Sequence, residues 1–355
     1  MTQSDSARGR FDVDVLLAFS QQILRKSGMQ ADAAADVARI LVEGDLLGHD
    51  THGLQLLSGY AGAVADGTML GGGDPIVVAE RSSVLTWDGR RLPGPHLVER
   101  GLRWASAAAR EHGTATLAIR RSHHIGCLAA YLEAPAREGL LVSVQCSDPA
   151  HGSVAPFGGC DPVFTPNPIA WGIPTGKDPI IIDISASITT NGMSGRMTAA
   201  GEQGAHQWWL TATGEPSNDP AVLTTRPPGS ILPLGGMEAG HKGYGLALQV
   251  EALTAGLSGH GRADPSEGWG ATVFVQVFDP TAFAGRDEFE TQMAYLVEAC
   301  HRSAPVSPDR PVRLPGERGL ARKQAQLKDG VELAQAIQAA LKAKADELGV
   351  AFPVG

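Results

Sequence analysis

Aromatic side chains are scarce in this chain, at 5% of 355 residues, and there are only four cysteines. Cys127, Cys146, Cys160 and Cys300 show no C-x-x-C spacing and fall short of the density of a disulfide scaffold. That argues against a small secreted framework and for buried free thiols in a reducing, cytoplasmic setting. Positive charge is also in short supply. A formal net charge of −9 repels polyphosphate backbones, so nucleic acid is not an expected partner. No apolar run approaches the roughly 20 residues of a membrane span, and Asp12 and Asp14 interrupt any leader-like core after Arg8 and Arg10. Common catalytic signatures are missing too. No G-x-G-x-x-G follows a strand, Gly176-Lys177 runs into Asp178 instead of the Ser or Thr of a P-loop, and neither G-x-S-x-G nor H-E-x-x-H occurs. Phosphoryl transfer, serine esterase and zincin chemistry therefore have no support.

Glycine is abundant, with 44 residues, which implies many tight turns and close backbone approaches. Val13, Leu16, Leu17, Phe19, Ile23 and Leu24 form a helical stripe closed by Gly28; Ala34, Val37, Ile40, Leu41 and Leu46 form another. A third helix is expected from Leu54 to about Asp66. Strands are expected near 75–79, 83–87, 114–119, 140–145, 180–183 and 272–278. Further helices are expected near 96–111, from the Ser122-His123-His124 segment to Gly139, and near 243–257, 287–301, 318–327 and 331–348. The stretch 152–204 reads mostly as loop. Alternating strands and helices indicate an α/β layered domain, and helices crowd both termini.

Chemistry-bearing side chains gather at element boundaries, where they escape the core. Gly48-His49-Asp50-Thr51-His52-Gly53 sets two histidines beside a hydroxyl and a carboxylate at a helical corner. Histidine is the side chain best suited to exchange a proton near neutral pH, although a simple capping turn uses the same residues. Ser122-His123-His124-Ile125-Gly126 is expected to end a strand and open a helix, where the helix dipole favours anions and lowers a histidine pKa. Adjacent histidines rarely face one ion and no third ligand has suggestive spacing, so no metal is expected. His241-Lys242, flanked by Gly240 and Gly243, is expected to open a helix and offers a point charge for phosphate or carboxylate, or else a solvated turn.

Taken in order, GHDTHGLQLLSGYAGAVADG, SHHIGCLAAYL, SDPAHGSVAPFGG, NPIAWGIP, HKGYGLALQVEALTAGLSG and RLPGERG resemble the malate/L-lactate dehydrogenase family, which also holds ureidoglycolate, sulfolactate and Δ1-piperideine-2-carboxylate reductases. The blocks span almost the whole chain. The resemblance implies an α/β fold with a non-Rossmann, NAD(P)-binding mixed-sheet domain and a helical lobe formed by both termini. The lobe is expected over 1–72, with 318–355 packing on it, and the sheet domain over 73–317. A homodimer is implied, acting on a small-molecule substrate with NAD or NADP.

Position by position, the resemblance makes His52 the proton donor, Thr51 its companion in place of the usual Ser, and His124 the histidine beside the nicotinamide. Ile125, Gly126, Cys127 and Leu128 line the cofactor with His124. Ser147, Asp183, Ile184, Ser185, His241, Lys242, Pro315, Gly316, Glu317 and Arg318 match other cofactor positions. Leu56, Tyr60, Thr165, Asn191, Gly192 and Met193 match substrate positions. Departures concentrate on the substrate. Leu56 replaces the family's carboxylate-gripping arginine, Asn191-Gly192-Met193 lacks the orienting aspartate of imine reducers, and Pro166 stands where a threonine is usual. The expected reaction is hydride transfer between nicotinamide and a 2-hydroxy/2-keto acid. Reduction of a 2-imino acid or cyclic imine is the alternative, as is a catalytically silent NAD(P)-binding protein.

Overall fold

The computed structural model describes residues 9–265 and 268–354. β1 (Gly9–Phe11) leads into α1 (Val13–Lys26), α2 (Ala31–Leu47) and α3 (Leu57–Ala65). Asp12 caps α1 by accepting the Asp14 and Val15 amides, while Leu16, Phe19, Ile23 and Leu24 form its buried face. The antiparallel pair β2 (Ile76–Arg81) and β3 (Val84–Asp88) comes next, then α4 (Gly94–His112) and β4 (Thr114–Ser122). After α5 (Glu133–Arg137), the strands β5 (Leu141–Ser147), β6 (Pro168–Ile173) and β7 (Ile180–Ser185) run to α6 (Asn191–Ala200). Three short strands, β8 (Trp209–Leu210), β9 (Pro216–Ser217) and β10 (Ser230–Ile231), make a small sheet before α7 (Gly236–Glu251). β11 (Ala271–Phe278), α8 (Arg286–Arg302), α9 (Glu317–Asp329), β12 (Val331–Leu333) and α10 (Gln335–Leu348) complete the order.

The central sheet has seven strands in the order β2-β3-β4-β11-β5-β6-β7, and only β3 and β4 run parallel. A parallel doubly wound sheet presents a crevice at its strand ends for a dinucleotide. This sheet, antiparallel at every pair but one, is of another kind, which accords with the missing glycine fingerprint. β1 and β12 pair antiparallel, with Gly9 opposite Leu333, so the chain's two ends are stitched together. One apolar core joins Leu16, Phe19, Ile23, Val37 and Leu41 to Val331, Ile337, Leu341 and Ala345. A second lies between the sheet and α4, around Leu97, Leu117, Val142 and Val275. A third surrounds Trp209, with Phe164, Ile231 and Ala247. Among the described residues, no helix is long and apolar enough to cross a membrane.

Several expected elements fall elsewhere. β4 runs to Ser122 and no α-helix opens at His124; residues 123–127 are irregular and lead to a 3-10 turn, Leu128–Tyr131, and the short α5. Gly126, at φ 71°, takes a left-handed conformation that a helix start does not use. The 152–204 stretch holds β6 and α6, hidden in the sequence by a proline that opens the strand and by two glycines in the helix. Helix α7 begins at Gly236, so His241-Lys242 lies inside it and does not open it. The last expected helix is split at Ala334 into β12 and α10. The Leu54–Asp66 helix starts as a 3-10 turn, Leu54–Leu56, before α3.

Trp209 is wholly buried, and its indole N–H donates to Ser194 Oγ on α6 at 3.1 Å. Trp209→Ala is expected to destabilise the protein by about 3–5 kcal/mol, read from urea unfolding midpoints. A change under about 1 kcal/mol would show that this core closes over the gap.

Candidate active site

The corner between α2 and α3 is built on a buried carboxylate. Gly48 ends α2 in a left-handed conformation, φ 89°. The Leu54 N–H then donates to Asp45 Oδ2 at 2.7 Å, and a Cβ on Gly53 would meet that carboxylate at 2.4 Å. From α9, Gln326 donates its amide to the carbonyls of Asp45 and Leu46 at 2.9 and 3.0 Å. It thereby satisfies acceptors that a helix end leaves open. The corner is thus fixed from below and from the C-terminal segment, and it presents Thr51 and His52. Thr51 Oγ1 lies 2.9 Å from His52 Nδ1, which leaves Nε2 as the ring's second proton-exchanging atom. Burial lowers the His52 pKa; the Asp183 carboxylate pulls it back up and His49 pushes it down.

His124 arrives from the end of β4. Its ring lies 5.7 Å from that of His52, stacked at 27°. Tyr60 Oη, from α3, is 2.7 Å from His124 Nδ1 and 3.1 Å from the His124 carbonyl oxygen. One hydroxyl proton can serve either acceptor. The Gly126 N–H also donates to His124 Nδ1, at 3.3 Å, which marks Nδ1 as an acceptor. With Nδ1 accepting, Nε2 carries the ring hydrogen and is the donor. Burial, reinforced by His52 and His123, depresses the His124 pKa to about 3, so the imidazole is neutral at physiological pH. The cause is desolvation, not the helix end read from the sequence. Burial likewise pushes the Tyr60 hydroxyl up, which keeps it a proton donor.

Trp269 walls this pair. Its ring centroid lies 5.4 Å from that of His124 and 5.1 Å from that of His151. Sequence reasoning missed it, and a lone tryptophan between glycines is the only signal it carried. Below the histidines, Asp183 Oδ2 accepts the Ala129 N–H at 2.9 Å and lies 3.8 Å from Cys127 Sγ. Burial raises the Asp183 pKa against the pull of His49 and His52. Ile125, Gly126, Cys127 and Leu128 are all buried behind His124. Gly192, at the start of α6, faces Thr51: a Cβ placed there would lie 3.7 Å from Thr51 Cβ. Asn191 and Met193 flank it at the surface.

A second group of expected residues surrounds the edge strand β7. The Ile181 N–H donates to the Pro315 carbonyl at 3.1 Å, and Gly316, φ 93°, sits so close that a Cβ would meet Ile181 at 2.8 Å. On the far side, Gly243 lets α7 press against Leu234 and Ala186; a Cβ there would lie 2.3 Å from the Leu234 nitrogen. This contact brings exposed His241 and Lys242 next to the strand carrying Asp183, Ile184 and Ser185. Glu317 is occupied by His301 and the Leu314 N–H, while Arg318 is exposed. An exposed strand edge, glycine-permitted close approaches and two cations are what the phosphates and riboses of a dinucleotide require, so these residues fit one.

Three expected site residues are placed elsewhere. The Ser147 hydroxyl donates to Glu251 Oε1 at 2.7 Å, in a part-buried network with Arg262 and Asn167 that also takes in Thr165. Leu56 packs against the terminal core.

Residues 11–342 match the family described as malate/L-lactate dehydrogenase. The chain belongs to that family. It is 30% identical over 341 residues to an L-lactate dehydrogenase of Cupriavidus necator, covering 94% of this chain and 96% of the relative. It is 33% identical over 331 residues to a (2R)-3-sulfolactate dehydrogenase (NADP(+)) of Chromohalobacter salexigens, covering 91% and 94%. The solved Δ1-piperideine-2-carboxylate reductase of Pseudomonas syringae superposes with a TM-score of 0.84 at 25% identity, over 95% of this chain and 99% of that one. The family's mixed α/β fold is the one described above, and its members are dehydrogenases and reductases acting on CH–OH or C=N groups.

Burial raises the Asp45 carboxyl from 3.8 to about 7. The native state therefore keeps a proton that the unfolded chain releases, and this group's contribution to stability is lost as pH rises from about 4 toward 7. Asp45→Asn retains an acceptor for Leu54 and no longer ionises. It is expected to be more stable than the parent at pH 8, by a margin that shrinks at up to about 1.4 kcal/mol per pH unit and disappears near pH 4. Urea unfolding across that range checks this; a margin independent of pH would contradict it.

Proposed function

We propose that this protein is an NAD(P)-dependent oxidoreductase that interconverts a small 2-hydroxy acid and its 2-keto acid. The observation that carries the reading is the stacked His52–His124 pair, each ring held at Nδ1 by a neighbouring hydroxyl and both lining one wall. The nicotinamide, when bound, supplies the hydride chemistry. His52, steadied by Thr51, gives a proton to the substrate oxygen in reduction and takes it back in oxidation. His124, neutral through burial, polarises the same oxygen through its Nε2–H, while Nδ1 accepts from Tyr60 and the Gly126 N–H. Trp269 and the buried residues behind His124 keep bulk water from the reacting centre. Asp183, Ile184, Ser185, His241, Lys242 and the Pro315–Arg318 turn would hold the dinucleotide, NAD or NADP, in a cleft between the 1–72/318–355 lobe and the 73–317 domain.

Substrate recognition departs from the family's usual arginine. Leu56 is committed to packing, whereas Arg196 and Lys242 are exposed and make no ion pair among the described residues, so they are the cations available for the carboxylate. Apolar Leu56 and Met193 also favour a bulkier or less anionic substrate; reduction of a cyclic 2-imino acid is the second reading, against which stands the lack of the imine reducers' aspartate at Asn191-Gly192-Met193. A homodimer in the cytoplasm completes the proposal. α8 has no buried residue and leaves Tyr295 68% and Leu296 50% exposed, a surface suited to a second copy, and the four cysteines are unpaired, as in a reducing compartment.

The test is NADH and NADPH absorbance with a panel of 2-keto acids and cyclic imines. Turnover of a keto acid supports the first reading and turnover of imines alone the second; dinucleotide binding without oxidation would mark a silent binder. His52→Ala is expected to lower kcat by roughly 10²–10⁴-fold with dinucleotide affinity nearly intact. Unchanged turnover would remove His52 from the mechanism.

A further inference from the structure

We propose that Arg262 is a positioning residue for the reaction, acting through His151 to hold Trp269 against His124. The inference rests on the oxidoreductase reading of the histidine pair, and it accounts for the network that takes up Ser147. Glu251, the last residue of α7, is the hub of that network. Its Oε1 accepts from Ser147 Oγ at 2.7 Å, from Asn167 Nδ2 at 3.0 Å, and from Arg262 Nε and Nη2 at 3.1 and 2.8 Å. Four donor atoms meet on one oxygen, and the Arg262 and Glu251 side chains are only 23% and 15% exposed, so the planar guanidinium is left one orientation. From there Arg262 Nη1 donates to the His151 carbonyl at 2.6 Å, while its Cζ stands 5.9 Å from the centre of the Phe164 ring.

His151 is fixed from its other end as well, since its Nδ1 lies 2.7 Å from Oδ2 of buried Asp148. Trp269 needs such a backstop. It is 43% exposed, and its indole makes no hydrogen bond among the described residues. What holds it is ring contact: His123 at 6.1 Å, His124 at 5.4 Å and, nearest of the three, His151 at 5.1 Å. An imidazole tethered at both its backbone and its Nδ1 keeps an exposed indole in one place, where a free one would sample several rotamers. Two further observations mark the network as built for geometry. Asn167, wholly buried, is held at φ 48°, a conformation that persists only where the surroundings over-determine it and that gathers at functional sites. A largely buried ion pair is also an inefficient way to stabilise a fold, because well-packed apolar side chains often do as well.

The test is a double-mutant cycle in the full chain, run with whichever keto acid or imine the parent turns over. Arg262→Ala is expected to lower kcat/KM by roughly 10–100-fold, chiefly through kcat, with dinucleotide affinity unchanged. In a Trp269→Ala background the same substitution should cost less than about threefold, because the side chain through which it acts is gone. An equal loss in both backgrounds would mean that Arg262 serves the fold at large, and that result, like no loss in either, overturns the proposal. The second readout needs neither substrate nor cofactor. Acrylamide quenching of Trp269 emission, taken as the difference between each protein and its Trp269→Phe counterpart, should rise in Arg262→Ala and in His151→Ala. Unchanged quenching overturns the proposal even where kcat falls. Circular dichroism verifies each fold, and Arg262→Lys, which keeps the charge but lacks the fork, carries both readouts if the alanine variant does not fold. A parent that turns over no keto acid or imine sinks the oxidoreductase reading, while the quenching still decides whether Arg262 holds Trp269.

Discussion

The candidate active site is built on one buried contact, the Asp45 carboxylate accepting the Leu54 N–H beneath a glycine that leaves room for it. A carboxylate this deep is costly to keep charged, which is why its pKa climbs. What the contact provides is a rigid corner. Without it, the six residues between α2 and the 3-10 turn would be an ordinary surface loop, and His52 would sample many positions instead of one stacked against His124. Acid–base help requires the proton donor within hydrogen-bond reach of the substrate atom, so rigidity at this corner bears directly on rate.

The sheet solves a different problem. A dinucleotide needs backbone donors and cations where its phosphates lie, and a Rossmann fold supplies them at the end of a parallel strand. Here the edge strand β7 offers its own flank, and two other segments are drawn against it by glycines at 243 and 316. In the proposed reading, tertiary packing would meet the same chemical demands. Burial does the tuning that a helix dipole does elsewhere: His124 is neutral because water is excluded, not because of a nearby partial charge.

Much of this was legible in the sequence where the signal was periodic or ordered. The stripes of α1 and α2, the apolar runs of β4, β5 and β11, and the six ordered blocks all pointed to the architecture and to the paired histidines. Legibility failed where local rules were overridden. Pro168 made β6 look like loop, and Gly192 and Gly195 concealed α6, although Thr190 caps it by accepting the Met193 N–H. Ser147 and Thr165 matched cofactor and substrate positions, yet Glu251 and Asn167 take up their hydroxyls, a partnership formed across the fold that no spacing announces. The Trp269 wall was invisible for the same reason.

The pairing of β1 with β12 has a consequence for biogenesis. Gln326, Val331 and Leu341 complete the foundation under the His52 corner, and they are synthesised long after it. A nascent chain can fold its central sheet early, but the His52 corner has no floor until the segment around Gln326 to Leu341 has emerged. A chain cut before Gln326 lacks that floor, so the loss should be felt nearly 275 residues away, at His52.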